Sequence, residues 1–147
     1  MGSEMCIRDR KWPEHLDPVV EEFRACFDAM ERYELLFGYA KRHPSALPQE
    51  EWTDDNQVHG CQSRAHVICS VDDNGGFLLR GGADAQIVQG LMAVTAIAVN
   101  GMDPSEVAEM EPDYAEAMGI RSSLTPSRAN GFLNMFKRVR EEAALLL

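Results

Sequence analysis

From Ala85 to Asn100 the sequence carries no Asp, Glu, Lys, Arg or His. Ile87, Leu91, Val94 and Ala98 recur at helical spacing, with Val88, Met92 and Val99 on the adjoining face,. A helix that is apolar nearly all round has no side to give to water, so other elements must pack around it. It is too short to cross a bilayer, which takes about 20 apolar residues. Asp84 stands directly before it, where a helix cap is expected.

The flanking sequence supplies elements to cover this helix. Met1 to Lys11 shows no periodicity and reads as a disordered or foreign segment, so the domain is set at residues 12–147,. Asp17-Pro18 opens a helix through Phe27, and Asp28 caps a second in which Met30, Tyr33, Leu36, Phe37 and Ala40 form the expected core stripe,. From Pro44 to Asn56 there is no period, and an extended connection pinned by Trp52 is expected,. Ala65–Val71 and Phe77–Arg80 alternate as strands around the turn Asp72-Asp73-Asn74-Gly75-Gly76, which makes a hairpin,. Asp103-Pro104 and Pro112-Asp113 each start a short helix, the second closing at Gly119,. A last helix opens at Thr125-Pro126, with Ala129, Phe132, Leu133, Phe136 and Val139 on its buried side,. Arg128 falls at its third position, where the helix dipole disfavours a cation, a local conflict of the kind found at functional sites.

A chain of 147 residues and 16.4 kDa fits one domain and can bury roughly 70% of its unfolded surface without staples,. Its formal charge of -10 argues against nucleic-acid binding, which needs a basic stripe, and leaves a protein with basic patches as the fitting partner,. The first residues hold no apolar signal core and no run is long enough to span a membrane, so no membrane partner and a cytoplasmic location are expected,.

Of the four cysteines, Cys6, Cys26, Cys61 and Cys69, no two form a Cys-x-x-Cys pair, and all four are expected as reduced thiols,. Cys26 lies in a helical pattern and Cys69 in a strand pattern, where a packed small residue is the plain reading. Cys61 stands in the polar loop Val58-His59-Gly60-Cys61-Gln62-Ser63-Arg64, at the end of the first strand. A thiol presented there invites three kinds of chemistry. A metal site could draw on His59, Cys61, His66 and Cys69, but His66 and Cys69 point to opposite faces of a strand and cannot close one tetrahedron. A Cys-His hydrolase would need an orienting residue and an oxyanion hole that nothing here identifies. Sulfur transfer asks for less: a thiolate attacks a sulfur atom, helped by a nearby cation such as Arg64, Arg128 or a charged His59, and by hydrogen bonds from Gln62 and Ser63.

Several segments together carry a resemblance: Leu47-Pro48, Asn56, Val58-x-Gly60-Cys61-Gln62-Ser63, Gly81 with Asp84-Ala85-x-Ile87-Val88-x-Gly90-Leu91, Met102-x-Pro104 and Leu124-Thr125-Pro126-Ser127-Arg128. From about Tyr33 to Arg138 the chain resembles the SufE/CsdE family of sulfur-acceptor proteins. The resemblance implies an α+β fold, with a small antiparallel sheet of about three strands flanked by helices, similar to the NifU-like (IscU-like) scaffold proteins of iron-sulfur cluster assembly. It also implies a carrier that is not a free-standing enzyme. Such a protein takes sulfane sulfur from a cysteine desulfurase of the SufS/CsdA type onto Cys61 as a persulfide, stimulates that enzyme, and passes the sulfur to downstream Fe-S scaffold proteins. By position, Gly60, Gln62, Ser63 and Arg128 would support the thiol, with Arg128 near the loop. His59, Arg64 and Asp84 would lie on the docking side. No cofactor or resident metal is implied, since the pyridoxal phosphate belongs to the partner desulfurase, and a monomer or weak dimer is expected. Many members have a Val-Trp pair where this chain has Ala65-His66. The alternative is a metal or Fe-S binding scaffold using the His59/Cys61 region.

Overall fold

The computed structural model describes residues 12–43, 45–59 and 64–147; the expectation for Met1–Lys11 falls outside them. In chain order the elements are α1 (Asp17–Arg24), α2 (Ala29–Lys41), β1 (Ala65–Val71), β2 (Phe77–Ala83), α3 (Gln86–Val99), α4 (Pro104–Glu109), α5 (Asp113–Ala117), α6 (Ile120–Ser123) and α7 (Pro126–Leu145). This is the α+β architecture expected, a small antiparallel sheet flanked by helices.

The uncharged helix is central, as its composition demands. In α3, Val88, Gly90 through Ala96, Ala98 and Val99 are all buried, and the helix lies between β2 on one side and α2 on the other. The α2 crossing is close enough that a Cβ on Gly90 would stand 2.4 Å from the Leu36 carbonyl oxygen, so only glycine fits there,. That contact also corrects the stripe expected on α2. Leu36 and Tyr39 are buried, whereas Met30 is 65% and Phe37 36% exposed. At 100° per residue both lie roughly a right angle or more around the helix from Leu36. On α7, Phe132 and Phe136 pack with Tyr114 of α5, whose hydroxyl meets Thr95 Oγ1 of α3 at 2.6 Å. Thr95 in turn donates to the Leu91 carbonyl, so this buried polar pair is satisfied,.

Among the described residues the sheet has two strands rather than about three, with Ala65 opposite Ala83 and Val71 opposite Phe77. Ser45–Val58 runs from the β2 edge at Gly81, past Gly82 and His66, to the start of β1 without forming a third strand. It meets the strands only at isolated bridges, Ala46 with Gly81 and Gln57 with His66. Pro48 follows the first contact and has no N–H with which to extend it.

The outer edge of β2 is closed residue by residue. Phe77 pairs with the backbone of Gly101 and Met102, the Leu79 N–H donates to Asn100 Oδ1, and the Leu79 carbonyl accepts from the Ser45 hydroxyl. Gly81 exchanges bonds with Ser45 and Leu47, and the Ala83 N–H donates to Gln89 Oε1. Every second backbone group of an edge strand needs such a partner when it is covered. Among the described residues no helix is long and apolar enough to cross a membrane.

Candidate functional site

Where β1 begins, the chain doubles back on itself. The Val58 N–H donates to the Ala65 carbonyl at 2.8 Å and Gln57 bridges His66, so the residues on either side of the segment 59–64 are held together. Gly60, Cys61, Gln62 and Ser63, the centre of that segment, lie outside the described residues.

The outgoing flank is tied to the β2–α3 corner. The Arg64 N–H donates to Asp84 Oδ1 at 3.1 Å, and the Asp84 N–H donates to the Arg64 carbonyl at 3.1 Å. Asp84 is thus not the cap of α3. That position is Ala85, which makes no side-chain capping bond, because the carboxylate is turned to the loop. An open groove of about 280 Å³ beside it is lined by Ala40, Lys41, Ala83, Asp84, Gln86 and Gln89. The Arg64 guanidinium lies over the Trp52 ring at 5.1 Å, a cation–π contact,.

Trp52 also stacks on His66, with ring centroids 4.8 Å apart and an angle of 16°. Its indole N–H donates to the Leu47 carbonyl at 3.1 Å, which pins the Ser45–Val58 segment as expected. Gly82, the register partner of His66, leaves room for this, since a Cβ there would come within 3.0 Å of the indole nitrogen. Asn56 Oδ1 accepts from the Thr53 N–H, so it also accepts from His66 Nδ1, at 2.7 Å,. His66 Nε2 is buried and within strict hydrogen-bond geometry has no partner among the described residues. Burial, and then the Arg64 charge, hold the His66 pKa below its ordinary value,.

The incoming flank is tied to α7. Arg138 donates from Nη1 to the Gln57 carbonyl and from Nη2 to the Asp55 carbonyl, both at 2.8 Å, and from Nε to Glu142 at 3.0 Å. Val58 and exposed His59 border an open groove of about 430 Å³ with Asn134, Lys137, Arg138 and Glu141. Sequence reasoning gave Arg138 no role. It carries no local signal, because both acceptors are main-chain carbonyls more than eighty residues away.

Arg128 stands at the third position of α7, its N–H bonded to the Thr125 side chain at 3.3 Å, as read from the sequence. It lies on the same helix as Arg138, roughly 15 Å earlier along the axis. The two described cysteines differ from a reactive thiol. Burial, and then the Glu142 charge, push the Cys69 thiol up to about 12, and burial also raises Cys26,. Both are free. Among the described residues no group of three or more His, Cys, Asp or Glu could hold a metal ion.

The profile of the "SufE: Fe-S metabolism associated domain" matches residues 17–143 of this chain. The chain is similar to an uncharacterised SufE-like protein of Synechocystis, 40% identical over 131 residues that cover 89% of this chain and 81% of that protein. It is also similar to SufE-like protein 1, chloroplastic/mitochondrial, of Arabidopsis thaliana, 30% identical over 89% of this chain, which spans only 35% of that longer protein. The solution structure of a hypothetical protein from Thermus thermophilus shares the fold, with a TM-score of 0.74 at 24% identity over 91% of this chain and 96% of that one.

Proposed function

The chain belongs to the SufE family of proteins associated with Fe-S metabolism, and from that premise we propose that it accepts sulfane sulfur on Cys61 from a cysteine desulfurase and delivers it to iron-sulfur cluster assembly. In the first step the Cys61 thiolate attacks the outer sulfur of the partner's persulfide. A new S–S bond forms on Cys61, the partner's S–S bond breaks, and the partner cysteine leaves as a thiolate. In the second, an acceptor thiolate attacks the outer sulfur on Cys61 and restores it. Removal of sulfur from the desulfurase is what stimulates that enzyme. His59, Arg64 and Asp84 border the docking side, while Gly60, Gln62, Ser63 and Arg128 support the thiolate. A cytoplasmic location belongs to the same reading.

The observation that carries this reading is the Val58–Ala65 backbone bond, which holds together the two described flanks of Cys61. Thiolate exchange asks only for a thiolate, access and a cation that raises the thiolate fraction, and Arg64 stands three residues after Cys61 in the chain,. The two described cysteines, with raised pKa values, are poor competitors at neutral pH. The test is intact-mass measurement after incubation with a cognate desulfurase and cysteine. One sulfur adds about 32 Da, which Cys61→Ser should abolish, and an adduct that survives the substitution overturns the proposal.

A further inference from the structure

We propose that Arg138 is a positioning residue for Cys61, holding the incoming flank of the loop against α7; this rests on the reading of Cys61 as the sulfur acceptor. All three guanidinium nitrogens are committed, two to the carbonyls of Asp55 and Gln57 and one to Glu142. A planar fork serves two carbonyls on one segment in a way that a lysine cannot. Those carbonyls lie in and just after the short turn Asp54–Asn56, beyond the reach of any regular ladder. The other ties of this flank, the Val58–Ala65 bond, the Gln57–His66 bridge and the Asn56–His66 side-chain bond, run to β1 and not to α7.

The helix that carries Arg138 is a rigid reference. Phe132, Met135, Phe136 and Val139 bury its inner face. The outgoing flank has its own reference in Asp84 at the β2–α3 corner. The two described flanks are therefore held at two fixed points on different parts of the core. Gln57 is four residues from Cys61, at most about 14 Å of chain,. Arg138 itself is half-buried at the surface, and the buried apolar core does not include it. Its loss should move the loop and leave the fold.

The experiment compares wild type, Arg138→Met and Arg138→Lys. Three quantities are read: thermal midpoint, amide exchange at Val58 and Ala65, and sulfur transfer from a desulfurase, with maximal rate separated from half-saturating concentration. Arg138→Met should lower the maximal rate about tenfold, the order expected when charge-assisted hydrogen bonds are lost, with the half-saturating concentration within about twofold. Exchange at Val58 and Ala65 should quicken, and Arg138→Lys, which can reach one carbonyl, should recover part of both. Transfer at the wild-type rate in Arg138→Met, or slowed transfer with unchanged exchange and no recovery by lysine, overturns the proposal. If wild type takes up no sulfur, the functional reading has failed instead. Exchange and the alkylation rate of the Cys61 peptide by iodoacetamide then still decide whether Arg138 positions the loop.

Discussion

The backbone N–H of Arg64 is bonded to the side chain of Asp84 at 3.1 Å, and the backbone N–H of Asp84 returns a bond to the Arg64 carbonyl. Asp84→Ala removes one arm of this pair at an exposed site, at an expected stability cost of about 1 kcal/mol. Exchange of the Arg64 amide should accelerate while the first turn of α3 is unchanged, since Asp84 does not cap it. Fraying at Gln86–Gln89 in the exchange profile would return Asp84 to a capping role.

Trp52→Ala should uncover His66. The ring is half-buried, so the loss is about 2 kcal/mol, below the roughly 3–5 kcal/mol of a fully buried tryptophan,. With desolvation relieved, the His66 pKa should rise toward its ordinary value, which imidazole titration by NMR reads directly,. An unmoved titration would mean that Trp52 is not what shields the ring.

His43 predicts acid sensitivity. Burial holds its pKa down to about 4 from an ordinary 6.5. Between those values the unfolded chain binds a proton that the folded chain does not, so stability falls as pH drops from about 6.5 to 4 and is unaffected by this group above that window,. His66, lowered as well, acts in the same direction. Chemical denaturation of His43→Gln across this range should show a shallower fall than wild type, and parallel curves would contradict the assignment.

Gly90→Ala sets two effects against each other. Alanine gains up to about 1 kcal/mol over glycine inside a helix. The new Cβ would meet the Leu36 carbonyl oxygen at 2.4 Å, and a backbone atom cannot swing aside, so overpacking wins,. The expected net loss is about 2 kcal/mol in denaturant titration. A stabilised variant would show that α2 and α3 do not cross there.

Patterns that depend on one residue's neighbours along the chain were readable in the sequence. The uncharged run of α3, the hairpin turn at Asp72–Gly76 and the caps at Asp28, Asp103 and Thr125 all stand where local chemistry places them. The departures have a common cause in contacts made across the fold. Asp84 had the right place for a cap but found Arg64, twenty residues back. Met30 and Phe37 fit a helical stripe, yet the close approach at Gly90 chose Leu36 and Tyr39 for the interior. Arg138 was unreadable because carbonyl acceptors have no sequence identity. At the candidate site the flanking residues His59 and Arg64 fall on either side of the loop, and Asp84 joins one of them.

The closed border of β2 bears on how another macromolecule can be met. With Phe77, Leu79, Gly81 and Ala83 already spoken for by Met102, Asn100, Ser45, Leu47 and Gln89, no foreign strand can zip onto that margin,. The same closure removes a template for self-templated β-polymerisation, a hazard for any short hairpin. Recognition on that side must run through side chains and loop shape, which can release a visitor as readily as they admit it.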